Sequence, residues 1–217
     1  MNDKPKRIGI TLRIEHIKKY NEKRDAISHD WANFLEISHI LPIFIPNTLK
    51  NPKYFLEEMK LDGLIMSGGD NKGDDKERDY TEKEIIQFSI EKKIPLFGIC
   101  RGMQVINDFF GGNQIMTNNS KHVTKHHKIK LIDDKAKKYF QTEEIEVNSF
   151  HNNIINKDCV GKDLQIFALA EIDNTVEGFY HENLPILGIM WHPEREQNVL
   201  NEMKVMEIFY EQVFWRK

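Results

Sequence analysis

Cys100 and, some ninety residues on, the pair His192 and Glu194 have the chemistry of an acyl-transfer relay. Cys100 lies in FGICRGMQ, directly behind the apolar run Ile94 to Ile99, with Gly98 and Gly102 two residues to either side. A buried strand, a sharp turn and the start of a helix make a nucleophile elbow, and glycines are needed where the backbone folds back that tightly. The unpaired N–H groups and dipole of the helix start favour a thiolate over a thiol. A free cysteine is ordinarily a small buried residue; the strand before this one and the glycines around it favour a nucleophile instead.

A cysteine nucleophile needs a base. The strand-like segment Leu184 to Met190 runs into Trp191-His192-Pro193-Glu194 and brings His192 to a sheet edge. Pro193 confines the residue before it to extended geometry, and Glu194 can accept a hydrogen bond from the second ring nitrogen. An H-x-E pair alone is weak evidence, but together with the elbow it makes a Cys-His-Glu relay.

The elements that must position these groups alternate. A first strand over Arg7 to Leu12 is followed by helical spacing over Ser28 to Leu41. Then come a proline-bracketed strand over Pro42 to Pro46, a helix over Asn51 to Lys60, and a strand over Leu61 to Met66 that runs into Ser67-Gly68-Gly69. Such alternation predicts an α/β fold with a mostly parallel sheet flanked by helices. The second half is richer in extended segments (Lys128 to Ile132, Ile145 to Asn148, Leu164 to Glu171, Val176 to Tyr180, Ile186 to Met190), some of them expected to be antiparallel, before a helix over Glu196 to Trp215. Asp79-Tyr80-Thr81-Glu82 reads as a capping box that starts a helix through Glu91, and Asp70 to Asp79 reads as an exposed loop over the site.

With 217 residues and a formal charge of −3, the chain is expected to be one domain, residues 1–217, with no nucleic-acid partner. Two distant cysteines fit a reducing compartment, with Cys159 as a packing residue, and no long apolar segment calls for a membrane. The expected location is the cytoplasm, as a monomer or homodimer without a cofactor.

Several motifs together resemble the class I glutamine amidotransferase superfamily, and more closely its γ-glutamyl hydrolase branch. They are the elbow with Asn107 following, the Ser67-Gly68-Gly69 loop, R-D-x-x-E (Arg78, Asp79, Glu82), V-N-S-x-H (Val147, Asn148, Ser149, His151) and the ending E-G-F…L-G-I-M-W-H-P-E. The resemblance spans nearly the whole chain and implies a flavodoxin-like sheet and cleavage of a γ-glutamyl amide through a glutamyl thioester, releasing glutamate. It also implies an oxyanion hole from the backbone N–H of Gly69, beside that of Arg101 next to the nucleophile. Gly68, Gln104 and the backbone around Ser149, Phe150 and His151 are implied to receive the glutamyl end. Gln104 falls one helical turn after Cys100, which places it near the nucleophile independently. His151 is open between a substrate contact and a hydrogen-bonded structural residue.

The leaving amine is less constrained. Hydrolases of the γ-glutamyl-γ-aminobutyrate type are longer after the glycine loop. The short loop and the start G-I-T-L-R-I-E are similar instead to hydrolases acting on γ-glutamyl-CDP-amidate in bacterial capsule phosphoramidate biosynthesis. An anionic leaving group would give Arg13, at the same sheet edge, and Lys121, Lys125 and Lys128 a purpose, although solvated surface charge is the ordinary role of a lysine. The alternatives are a γ-glutamyl-γ-aminobutyrate hydrolase, a glutaminase subunit that supplies ammonia to a synthetase partner, or a silent binding protein on the same fold. His122, His126 and His127, without cysteines or carboxylates at ligand spacing, do not make a metal signature.

Overall fold

The computed structural model describes residues 4–116, 122–195 and 199–216, the side chains of residues 124, 125, 199 and 200 excepted. Strand β1 (Lys6–Thr11) leads into a hairpin of β2 (Arg13–Ile17) and β3 (Glu22–Ala26), then helix α1 (Asp30–Ile37) and strand β4 (Ile40–Ile45). Helix α2 (Pro52–Met59), strand β5 (Gly63–Met66), helix α3 (Lys76–Lys92), strand β6 (Leu96–Ile99) and helix α4 (Arg101–Phe109) follow. The second half contains β7 (Ile115–Met116), β8 (Val123–Leu131), α5 (Asp134–Phe140), β9 (Glu144–Phe150), β10 (Asn153–Ile154), β11 (Leu164–Ala170), β12 (Val176–His181), β13 (Ile186–Ile189) and α6 (Val199–Tyr210).

Among the described residues, nine strands form one sheet in the order β4-β1-β5-β6-β13-β12-β11-β8-β9. From β4 to β13 neighbours run parallel; from β13 to β9 they run antiparallel. The expected α/β class with antiparallel strands in the second half therefore holds. Strands β5, β6 and β13 are buried at every position, which is why they read as unbroken apolar runs. One apolar cluster packs α1 and α6 on one face, and another packs α2, α3 and α4 on the other. Pro42 is accommodated because β4 is an edge strand, paired only with β1.

Several boundaries differ from expectation. Helix α3 starts at Lys76 with Asp75 at the N-cap, so Asp79 and Glu82 lie inside the helix and form no capping box. The segment read as a loop over Asp70 to Asp79 therefore ends at Asp75. The final helix closes at Tyr210, with a separate 3-10 turn at Val213–Trp215, and residues 196–198 of the expected helix lie outside the described residues. The β2–β3 hairpin and α5 had no counterpart in the sequence pattern; α5 starts where Asp133 caps Ala136 N–H at 3.0 Å.

The parallel strands all end at one sheet edge. Thr11 ends β1, and Ser67, Cys100 and the turn after β13 follow directly from β5, β6 and β13, the position at which open α/β sheets place their sites.

Candidate active site

Cys100 joins β6 to α4 with φ 51° and ψ −104°, a backbone state rare for any residue with a side chain. Its N–H donates to Ile189 O at 2.8 Å, and its carbonyl accepts from Gln104 N–H at 3.1 Å. The flanking glycines are steric requirements. A Cβ on Gly102 would come within 2.2 Å of Met66 O, and one on Gly98 within 2.6 Å of the Gly102 carbonyl carbon. The thiol is nearly buried, yet it lines the cleft described below.

His192 is held from two directions. Its Nδ1 is 2.8 Å from Glu194 Oε1, which leaves Nε2 for another partner. Its backbone is clamped by Asn148 of β9, whose Nδ2 donates to His192 O at 2.7 Å and whose Oδ1 accepts from His192 N–H at 2.9 Å. Burial pushes the imidazole's pKa down, but the facing Cys100 and Glu194 outweigh it and push it up to about 10. Burial likewise raises the Cys100 thiol, but His192 outweighs it by charge and hydrogen bonding, and the thiol lies below its ordinary value. The two favour each other's charged form, a thiolate–imidazolium pair.

The glycine loop after β5 is fixed from behind. Arg78, 1% exposed, donates to Ser67 O at 2.8 Å and Gly68 O at 2.9 Å. In a planar trans peptide this turns the Gly69 N–H to the loop's opposite face. Arg78 Nε also pairs with Glu82 Oε1 at 2.9 Å, and Glu82 Oε2 receives Arg101, which in turn reaches Asp79 at 2.6 Å. R-D-x-x-E thus forms a buried ion network between α3, the glycine loop and the start of α4. A Cβ on Gly68 would sit 2.6 Å from His192 Cε1 and 3.6 Å from Cys100 Cβ, so loop, base and thiol are in contact range.

Two clefts meet at this point. One of about 210 Å³ is lined by Cys100, Gln104, Phe150, His151 and Asn153, among others; the second, a narrow cleft of about 30 Å³, is lined by His192, Arg13, Ser28, Trp31 and Arg195, among others. Gly69 belongs to both. An acyl group in the first cleft and its leaving group in the second would place the scissile bond between thiol and imidazole.

Residues 7–194 match the peptidase C26 family. This chain belongs to the peptidase C26 family. It is 35% identical over 212 residues to γ-glutamyl-CDP-amidate hydrolase of Campylobacter jejuni, an alignment covering 94% of this chain and 96% of that one. In fold it is similar to a candidate GMP synthase protein of Thermoplasma acidophilum, with a TM-score of 0.72 and 21% identity over 96% of this chain and 94% of that one. It is also similar to a glutamine amidotransferase of Thermotoga maritima, with a TM-score of 0.63 and 15% identity over 95% and 89%. The class I glutamine amidotransferase-like architecture and a hydrolase of this type are thereby established.

The remaining candidate residues of this C26 member divide between the clefts and the protein interior. Gln104 is buried; its Oε1 accepts from Asn153 Nδ2 at 3.2 Å, and the same Nδ2 is 3.0 Å from Asn71 Oδ1. Asn71 and Asn153, which no sequence motif marks, thus share the first cleft. Phe150 is exposed, its ring edge-on to His192 at 5.9 Å and capped by the Arg195 guanidinium at 4.7 Å. Ser149 is fully buried, donates its hydroxyl to His122 O at 2.8 Å and lines neither cleft. Arg13 lines the second cleft, paired with Glu15 at 2.8 Å and Asp70 at 3.3 Å.

His127 points inward from β8 and, with His122 just before that strand, meets His151 around Glu177 of β12, the first residue of the E-G-F motif; His126 is exposed. Lys121 lies outside the described residues, as does the Lys125 side chain, while Lys128 pairs with Glu144 at 3.3 Å. No described helix is long and apolar enough to cross a membrane.

Proposed function

We propose that this chain hydrolyses a γ-glutamyl amide through a thioester on Cys100 and that its substrate is γ-glutamyl-CDP-amidate. The meeting of two clefts at an ion-paired Cys100 and His192 carries the reaction type. The relative from C. jejuni, matched along nearly its whole length, carries the substrate.

The thiolate attacks the γ-carbonyl, and the oxyanion accepts hydrogen bonds from the N–H groups of Gly69 and Arg101. One such donor is worth about 3 to 4 kcal/mol of transition-state stabilisation. The imidazolium of His192 gives its Nε2 proton to the departing nitrogen, and the C–N bond breaks. In the thioester the thiolate charge is gone, so one of the two causes raising the imidazole's pKa is gone with it. Neutral His192 then takes a proton from water, hydroxide adds to the thioester, and the C–S bond breaks to return the thiolate and release glutamate. Glu194 holds the ring in the required tautomer and balances its charge.

Arg13, at the rim of the second cleft, faces the leaving group and would meet its phosphate oxygens. The expected location is the cytoplasm, where no synthetase partner is required.

The test is a panel of γ-glutamyl-CDP-amidate, γ-glutamyl-γ-aminobutyrate and glutamine, with glutamate release measured for the purified chain. Highest kcat/KM on the CDP-amidate, abolished in Cys100→Ala, is the expected result. Arg13→Ala should depress turnover of the nucleotide substrate far more than that of the small amides. Glutaminase activity that emerges only when a synthetase is added would replace this reading with an ammonia-supplying subunit.

A further inference from the structure

Behind the wall of the glutamyl-side cleft lies a titratable cluster that the reaction above does not use. Glu177 is completely buried, and neither carboxylate oxygen has a hydrogen-bond partner. Nε2 of His127 and Nε2 of His151 are each 3.6 Å from Glu177 Oε1, and Nδ1 of His122 is 3.9 Å away. Among the described side chains no lysine or arginine reaches it. A carboxylate in the interior without a counter-charge costs several kcal/mol, and neutral imidazoles supply none. The group must therefore share a proton.

The geometry says where that proton resides. His151 stands between two acceptors, the Asn153 carbonyl at 2.8 Å from Nδ1 and the Glu177 carboxylate beyond Nε2. Only a ring protonated on both nitrogens presents a donor to each. His122 also lies between acceptors, but its Nε2–H is satisfied by Asp173 at 2.8 Å and its other nitrogen is farther from Glu177. His127 is kept neutral by burial, which pushes its pKa down. His151 alone of the three lines the cleft beside Cys100, whose negative charge favours a cation there.

We propose that Glu177 is the buried counter-charge that keeps a proton on His151, so that a second imidazolium, besides His192, stands beside the Cys100 thiolate. Glu177 is then a positioning residue acting through His151, and the pair helps hold Cys100 as the nucleophile. Nδ1 of His151 is bonded to the Asn153 carbonyl and Nε2 faces Glu177 at 3.6 Å, so the ring acts by charge and not by donating to substrate. The idea rests on Cys100 being the nucleophile and is independent of the leaving group. A zinc ion is the rival occupant, since single ligand atoms of His122, His151 and Glu177 all lie within 4.8 Å of one another.

The test uses the free protein, without substrate, so an error in the substrate assignment does not affect it. With ¹⁵N-labelled histidine at pH 7.5, His151, assigned by loss of its signal in His151→Gln, is expected to show two protonated nitrogens. In Glu177→Gln that signal should become neutral, and alkylation of Cys100 by iodoacetamide below pH 7 should slow about tenfold, the effect of one pKa unit. Glu177→Asp, which keeps the charge, should recover most of the rate. A neutral His151 in the native protein overturns the proposal, as does an unchanged alkylation profile in folded Glu177→Gln or one equivalent of zinc on elemental analysis. The native spectrum decides the matter even if Glu177→Gln does not fold.

Discussion

Asn148 grips the backbone of His192 at both ends of one residue, donating to its carbonyl at 2.7 Å and accepting from its N–H at 2.9 Å. The antiparallel strand β9 thereby fixes a base that follows the parallel strand β13. Asn148→Ala is expected to lower kcat/KM about a hundredfold, because a misplacement of about 1 Å at a reacting group costs that much. It also leaves the buried His192 N–H unpaired, a loss of about 1–3 kcal/mol that denaturant unfolding will measure, while His192 O keeps the Arg195 N–H at 3.1 Å.

Glu194→Gln keeps a hydrogen-bond acceptor beside His192 Nδ1 but removes the charge. Acylation needs the imidazolium, which is present below its pKa of about 10 and lost as pH rises through that value. Glu194 is one of the two groups raising that pKa, so its neutral variant should lose activity at lower pH. A pH profile of kcat/KM whose alkaline limb moves toward neutrality is the expected outcome; an unmoved limb would separate Glu194 from the proton on His192.

Gly68→Ala tests the contact between the glycine loop and the base. The new methyl would lie 2.6 Å from His192 Cε1, so ring or loop must shift. A fall in kcat of at least about a hundredfold is expected, comparable to the loss of an oxyanion donor, with folding retained by circular dichroism.

Much of the parallel half was legible because its central strands are apolar runs, and the elbow because Gly98 and Gly102 cannot carry side chains there. The β2–β3 hairpin was not: Glu22 to Asp25 is exposed throughout, so no alternation marks it. Asp79 and Glu82 have the spacing of a capping box, but residues three apart also share one helix face, and only the arrival of Arg101 from another helix shows which role applies. Glu177 opens the E-G-F motif, but its role was not legible there, because its meaning comes from imidazoles just before β8, on β8 and just after β9.

Glu82→Gln is expected to destabilise the fold by about 3–5 kcal/mol, since removing one partner of a buried ion group leaves the remaining charges uncompensated. Arg78 and Arg101 both close on this fully buried carboxylate. A urea midpoint close to that of the parent would show that water enters the network.

Arg78 ties down the glycine loop, and Arg101 is the first residue of the elbow helix. The two proposed oxyanion donors, brought by separate strands, are thus registered against one carboxylate. Loosening either loop removes the reference for the other, so damage at Arg78 and at Arg101 should be far from additive in a double-mutant cycle. The hole would work as a single part with two owners in the sequence. A change in one loop would be tolerated only when the other keeps its hold on Glu82.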